Sequence, residues 1–350
     1  KTHGAIEGNL VEGVRQHVFA VTHRWLDPNG DGNPEDGVDG FRLDVAEMVP
    51  LGFWRDYRRF VRGINPEAYL VGEIWWEQWP DRIYDAAAWA NDSVFDAVMN
   101  YRWFAPTRDW IMGAGLSSSG YARALDSITR GITLPHQQAM MNLTASHDTP
   151  RFGTAMYNPG RYKYHNRPTE DSTYRIDRPD GHAVALQRLV LVQQFTWIGA
   201  PHIWNGDEVG MWGADDPDER KPLVWGDLSY APETTHPLGL KRRLDPVRPD
   251  TALFATYRDL IALRKAHQRL FVDGEVQWLV QDDQARLLVY RRTLGSEQAI
   301  VMLNASDQTQ AIAIASPGTF KQAYPASSST ASDTVKAVLQ PLTAEVWVSR

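Results

Sequence analysis

Asp39-Gly40-Phe41-Arg42-Leu43-Asp44 is a short apolar run that ends on a carboxylate, with a guanidinium two residues earlier. Residues two apart on a strand share a face, so Arg42 and Asp44 point the same way. A neighbouring cation holds a carboxylate ionised, as a nucleophilic Asp requires. The run lies in a strand-like stretch, Val38 to Val45, fed by an Asp/Asn/Gly/Pro loop, Asp27 to Asp36. Two other segments share the design: Val71-Gly72-Glu73-Ile74-Trp75 and Ala145-Ser146-His147-Asp148. Glu73 stands between a glycine and apolar or aromatic residues, where partial desolvation suits a general acid. A single acid at a strand end is more often a cap or an ion-pair partner. Three of them, the last beside a His, point to one site.

Outward from these runs, apolar residues at Leu10, Val11, Val14, Val18, Val21 and Trp25 have helical spacing. Further helices are predicted over Gly52–Val61, Tyr121–Arg130, His182–Phe195 and Thr251–His267. Strands are predicted at Tyr69–Ile74, Ser93–Tyr101, Ala139–Ala145 and Pro201–Asn205. Strand alternating with helix means a parallel sheet with helices outside. In a parallel barrel the C-terminal strand ends converge on one mouth, where active sites sit. From about residue 271 the pattern changes to alternating runs at Leu287–Tyr290, Ala299–Leu303, Gln310–Ile314 and Ala344–Val348. That predicts a small antiparallel β domain over 271–350, with Ser327–Ser332 as a loop. The polar stretch Tyr157–Gly181 holds Arg161, Lys163, Tyr164, His165 and Arg167. It follows the third acid's strand, so it is expected to lie at the mouth as a lid.

Composition narrows the function. The chain has 350 residues, 43% of them hydrophobic, enough for a sizeable core. A net charge of −7 without long single-sign blocks argues against nucleic acid as a partner. No apolar run reaches the roughly 18 residues of a membrane helix, so no membrane partner is expected. Cysteine is absent, which excludes disulfides, thiol catalysis and thiolate metal sites. The first residue is Lys1 and no secretory signal pattern follows, as expected of a processed chain or part of a longer one. A periplasmic or secreted location is expected ahead of a cytoplasmic one. The 14 Trp and 13 Tyr cluster partly in loop-like stretches, and flat rings with polar tips suit sugar faces. About half of them are expected to be ordinary core packing.

Together these segments resemble the α-amylase superfamily, glycoside hydrolase family 13. Gly40-Phe41-Arg42-Leu43-Asp44 resembles its nucleophile motif, Gly72-Glu73-Ile74-Trp75 its acid/base motif and Ser146-His147-Asp148 its third-carboxylate motif. Gly206-Asp207-Glu208-Val209-Gly210 is similar to the segment after its last barrel strand. The resemblance implies an α/β fold, a (β/α)8 TIM barrel followed by a C-terminal antiparallel β-sandwich. About five of the eight barrel strands fall in this chain, over residues 1–270, with the sandwich over 271–350. It implies a retaining hydrolase of α-1,4-glucosidic bonds in maltodextrins, starch-derived oligosaccharides or cyclodextrins, with transglycosylation as a side activity. Asp44 would be the nucleophile, Glu73 the acid/base and Asp148 the residue that grips sugar hydroxyls. Arg42 would orient Asp44, and His147 would bond the same sugar. Asp216 and Arg220, in Asp-Pro-Asp-Glu-Arg, resemble a pair that binds a glucose on the non-reducing side. Trp75, Trp76 and Trp79 are expected along the groove.

Ser-His-Asp-Thr-Pro-Arg (146–151) and Ala-Asp-Asp-Pro-Asp-Glu-Arg-Lys-Pro (214–222) resemble the neopullulanase, cyclomaltodextrinase and maltogenic amylase group. That group usually carries Asn-Glu at the third and fourth places after the nucleophile, where this chain has Glu47-Met48. Val45 also occurs in α-1,6-acting members. The alternatives are therefore an α-1,6-acting oligosaccharide glucosidase and a catalytically inactive amylase-like sugar-binding fragment. An earlier family motif, ending in Asn-His, has no match among the 43 residues before Asp44. The expected partner is thus the N-terminal part of the same enzyme, which would carry the missing strands. Relatives often dimerise, so a homodimer is a further expected assembly.

Asp27-Pro28-Asn29-Gly30-Asp31-Gly32 places oxygen donors at alternate positions, like the opening of a calcium loop. Position twelve is Val38, so the usual bidentate Glu is missing. A structural Ca²⁺ on Asp27, Asn29, Asp31 and Asp36 is one reading, and a polar turn feeding the strand is the other. No cofactor is expected for catalysis.

Overall fold

The computed structural model describes residues 4–78, 82–161 and 165–349. Trp79, Lys163 and Tyr164, named above, lie outside the described residues. The chain divides into two compact units, Lys1–Arg102 with Asp126–Asn142, and Trp103–Leu125 with Leu143–Arg350.

In the first unit, strands Gly40–Leu43, Tyr69–Gly72 and Ala97–Val98 form a parallel sheet in that order. Helix Leu51–Ile64 crosses from the first strand to the second and buries Phe53, Trp54, Tyr57 and Val61. Trp54 packs edge-on against Phe95 and donates Nε1–H to the Ala46 carbonyl at 2.8 Å. That bond ties the helix to the turn after Asp44. Gly72 is needed here because a Cβ on it would lie 2.4 Å from the Phe95 ring. The predicted strand Ser93–Tyr101 shrinks to Ala97–Val98. Asn91 accepts from the Ser93 N–H at 3.0 Å and folds the front of the run into a turn, a local bond that competes with sheet. Tyr101 instead opens a helix, Tyr101–Ile111.

The N-terminal helix forms over Glu12–Leu26, but its predicted apolar stripe is not the face that packs. Phe19 stacks on Phe60 at 4.4 Å, Thr22 bonds Tyr57 at 3.2 Å and Arg15 pairs with Asp56 at 3.0 Å. Val11, Val14, Val21 and Trp25 are left exposed. Strand Gly40–Leu43 pairs only with Tyr69–Gly72 among the described residues, so its other edge is open and its residues are half-buried.

In the second unit, helix Gly181–Thr196 is apolar on nearly every side and mostly buried. Asp180 caps it by accepting from Ala183 N at 2.9 Å. Strand Ala200–His202 and helix Thr251–Ala266 follow. Arg264 reaches back and donates to the carbonyls of Phe195, Trp197 and Gly199 at 2.8, 3.2 and 2.7 Å. The C-terminal region is one six-stranded antiparallel sheet, ordered Thr330–Leu339, Gln310–Tyr324, Thr343–Ser349, Glu297–Asn304, Leu287–Leu294, Glu275–Asp282. A register shift between Ala315 and Thr319 bends the longest strand. The bend lets Ile314, Phe320, Val335 and Leu339 share a core with Val289, Ile300, Met302 and Trp347. The sheet thus folds over itself as a sandwich. Leu288, Tyr290 and Arg292 alternate onto the other face and are also buried. Tyr290 packs edge-on against Trp197, and Arg292 donates to the carbonyls of Thr196 and Gly274 at 2.7 and 2.8 Å. Part of the expected loop Ser327–Ser332 is strand, because Thr330 and Ser332 pair with Lys321 and Thr319. Cross-strand partners outweigh the turn-like composition.

The stretch Tyr157–Gly181, expected as a lid, is irregular but pinned where it is described. Asn166, Tyr174 and Ile176 are buried, and Arg167 donates to the Asp216 carbonyl at 3.0 Å.

Candidate active site

The register of the first two strands pairs Leu43 with Gly72, so Asp44 and Glu73 are the first residues beyond one rung of a parallel pair. Neighbouring strands lie about 4.8 Å apart, which sets the scale for the two acids. Arg42 joins them: one guanidinium nitrogen bonds Asp44, and the other lies 2.9 Å from Glu73 Oε1. Its Nε–H meets the Met99 sulfur at 3.3 Å. Burial works against the Arg42 charge, but Glu73 and Asp44 outweigh it and raise its pKa. The guanidinium is a fixed cation.

The two carboxyls differ in surroundings. The Asp44 side chain is 71% exposed and that of Glu73 only 7%. Glu73 is held from several sides: Val45 N–H donates to Oε2 at 2.9 Å and Tyr101 O–H to Oε1 at 3.4 Å. Val45 is in the left-handed region, φ 45° and ψ 40°. That conformation is costly for a β-branched residue and occurs where surrounding structure enforces it. Here it turns the chain so that Val45 and Ala46 both present their N–H groups to Glu73.

Trp75 was expected on the groove wall. It is buried instead, stacked on Tyr101 at 3.9 Å and 6° and on Trp76 at 5.0 Å. Its role is to buttress Tyr101, and Trp76 is the partly exposed ring of the set. Tyr101 itself was missed as a site residue because it was read as the tail of a strand.

The second unit builds its own polar cluster. Asp148 receives Arg220 on one oxygen at 2.9 Å and lies 3.0 Å from His147 Nε2 on the other. Arg220 also pairs with Asp216 at 3.1 Å and Glu219 at 3.2 Å. The structure therefore brings His147, Asp148, Asp216 and Arg220 into one cluster. The His147–Trp204 ring contact, at 6.2 Å, was not foreseen. Asp216 also stands on the wall of a cavity of about 580 Å³. Arg167, Thr169 and Ile176 of the long loop line the same cavity.

In the Asp27–Asp36 loop, carboxylate oxygens of Asp27, Asp31 and Asp36 lie within 4.8 Å of one another. Asp27 accepts from the N–H groups of Gly30, Asp31 and Gly32 at 2.9–3.1 Å. Asn29 turns to Asp31, bonding its N–H at 2.8 Å and its carboxylate at 3.1 Å. Three converging carboxylates repel unless a cation or proton lies among them, and their oxygens suit a hard divalent ion.

Residues 10–274 match the family described as Alpha amylase, catalytic domain. The chain is 32% identical over 308 residues to neopullulanase 2 of Thermoactinomyces vulgaris, covering 87% of this chain and 42% of that protein. It is 30% identical over 299 residues to a cyclomaltodextrinase of Geobacillus thermopakistaniensis (strain MAS1), covering 85% and 41%. The chain thus spans about two-fifths of the length of these curated relatives. Among solved structures, a cyclomaltodextrinase superposes with a TM-score of 0.74 at 24% identity, covering 98% of this chain and 52% of that one. The fold is therefore the (β/α)8 barrel type followed by the C-terminal antiparallel sandwich. With its acids at the ends of parallel strands and the catalytic-domain match running across both of them, the chain belongs to the alpha-amylase family of glycoside hydrolases.

Proposed function

We propose that this chain carries the reacting carboxyls of a retaining α-glucan hydrolase. The observation that carries the reading is the single Arg42 guanidinium spanning Asp44 and Glu73 on adjoining strand ends. Retention needs two carboxyls close enough to flank one glycosidic bond, and here one guanidinium touches both. Asp44, open to solvent and beside a cation, attacks the anomeric carbon. Glu73, largely withdrawn from water, gives its proton to the departing oxygen. Glu73 then takes a proton from water, whose oxygen displaces Asp44 from the sugar. Asp148, with His147, grips sugar hydroxyls, and Asp216 with Arg220 receives the next glucose. The substrates are α-1,4-linked maltodextrins and cyclodextrins, in line with the cyclomaltodextrinase and neopullulanase names of the relatives.

The open edge of Gly40–Leu43 and the exposed stripe Val11, Val14, Val21 and Trp25 suit a further parallel strand and its helix. The partner is the N-terminal portion of the same enzyme. Asp27, Asp31 and Asp36 would hold a calcium ion, which stiffens the loop before Asp44 and supplies no reaction chemistry.

The test is release of new reducing ends from maltoheptaose and β-cyclodextrin, beside an Asp44→Asn control. The reading expects activity that falls by at least about 10³-fold in the control. Equal rates in the two chains would refute Asp44 as nucleophile.

A further inference from the structure

Glu219 is buried, and the roles above leave it without a task. Its side chain is 0% exposed; one oxygen meets Arg220 Nε at 3.2 Å, and the other has no hydrogen-bond partner among the described residues. A buried carboxyl with bonding capacity unmet destabilises a fold, so its use is to be sought in what it touches. It touches the cation of the sugar-gripping cluster. Arg220 Nε donates to Glu219 Oε1 at 3.2 Å and lies 3.1 Å from Asp216 Oδ1, while a terminal N–H reaches Asp148 Oδ1 at 2.9 Å. The guanidinium is a flat fork, so fixing Nε fixes the direction of the donor aimed at Asp148. The backbone under this contact is pinned. Arg151, itself buried, donates Nε–H to the Glu219 carbonyl at 2.7 Å, and Ala214 N–H bonds the Asp218 carboxylate at 2.7 Å. Gly213 permits the close approach: a Cβ on it would lie 2.6 Å from the Asp218 carbonyl oxygen and 3.2 Å from the Glu219 Cα.

We propose that Glu219 is a positioning residue that holds Arg220 against Asp148 when Asp216 turns its oxygens to the sugar. The proposal rests on the reading that Asp148, Asp216 and Arg220 bind glucose units. The two anchors on Nε differ in what a ligand does to them. Asp216 is 53% exposed and stands on the cavity wall, so its oxygens are the ones a sugar hydroxyl reaches. Glu219 is sealed off, and no hydroxyl competes for it. Its oxygen accepts from Nε–H whether the carboxyl is ionised or protonated. A contact withdrawn from water also escapes the screening that weakens an exposed ion pair. An unheld arginine gives up its rotamer freedom when the sugar binds. One held beforehand does not, and that preorganisation adds to affinity.

The experiment measures kcat/KM on maltoheptaose in a double-mutant cycle of Glu219→Met and Arg220→Met, with Glu219→Gln as the conservative variant. Glu219→Met keeps the length and removes the acceptor, so kcat/KM falls about tenfold, chiefly through KM. Its melting temperature holds or rises, because a buried oxygen without a partner is gone. Glu219→Gln retains an acceptor and stays within about threefold of the wild type. In the Arg220→Met background, Glu219→Met changes kcat/KM by less than about twofold. A full tenfold fall there, or a Glu219→Gln as impaired as Glu219→Met, overturns the proposal. A second readout needs no turnover: hydrogen exchange of Arg220 Nε–H, followed by ¹⁵N NMR and assigned with Arg220→Met. It quickens at least about tenfold in Glu219→Met, and equal rates in the two chains overturn the proposal. Slow exchange that Glu219→Met releases, in a chain that hydrolyses no maltoheptaose, would refute the proposed activity and leave the positioning role standing.

Discussion

Asp207 offers a quantitative test of how burial governs this fold. It lies in the turn Asp207–Val209 between two left-handed glycines, Gly206 and Gly210, and is almost entirely buried. Arg151 approaches one oxygen at 3.4 Å, and the other oxygen has no hydrogen-bond partner among the described residues. Burial dominates, opposed by Arg151, and raises the carboxyl from 3.8 to about 7. A carboxyl whose folded pKa is raised contributes stability that is complete below the unfolded value. That contribution is lost as pH climbs toward the folded value. The window here runs from about pH 4 to pH 7. At about 1.36 kcal/mol per unit, the two units between pH 5 and pH 7 correspond to about 2–3 kcal/mol. Asp207→Asn removes the titration and keeps the shape. The wild type should therefore lose about 2–3 kcal/mol relative to Asp207→Asn between pH 5 and pH 7, read as the difference of urea midpoints at each pH. Glu219, also raised to about 7 chiefly by burial, is present in both chains and cancels from the difference. A wild-type-minus-variant difference constant to about 0.5 kcal/mol across the range would refute the reasoning.

Two further outcomes are expected. Arg264→Met keeps the stem but leaves three carbonyls at the end of helix Gly181–Thr196 without their donor. It should cost about 3 kcal/mol in chemical denaturation, and a wild-type midpoint would count against the capping role. Calcium should raise the melting temperature of the wild type, by an amount equivalent to about 2.7 kcal/mol at a hundredfold excess over Kd, and Asp31→Asn should abolish most of that gain. A melting curve indifferent to calcium and to chelator would leave the loop as a self-bonded turn.

The parts of the fold legible in sequence are those where one residue type has one physical solution. Apolar runs closed by Asp44, Glu73 and Asp148 marked strand ends, and each acid stands just beyond or close to a short strand. The Arg42–Asp44 pairing followed from strand geometry alone. What escaped was decided by tertiary partners. Val11, Val14 and Trp25 have the spacing of a buried face, yet Phe19 and Thr22 on another side of the helix make the contacts. Periodicity reports that a helix has a face, not which neighbour covers it. Tyr101 reaches Glu73 through a contact 28 residues away in sequence, which no local pattern records. Trp75 read as a sugar platform because its motif sits beside the acid; stacking on Tyr101 and Trp76 made it a wall behind the acid instead.

Arg292 gives the C-terminal sheet a significance beyond covering apolar surface. Its donors reach the carbonyls of Thr196 and Gly274, while Tyr290 on the same strand packs against Trp197. The end of a barrel-type helix is thus finished by residues that come almost a hundred positions later in the chain. During synthesis that helix emerges well before the groups that close it, so it must wait, its terminal carbonyls served only by water or by Arg264. The sheet is therefore a late-arriving keystone: until it is made, the second unit has no finished state to commit to, and shortening the gene from its 3′ end would be felt in the barrel-type elements before any sugar is met.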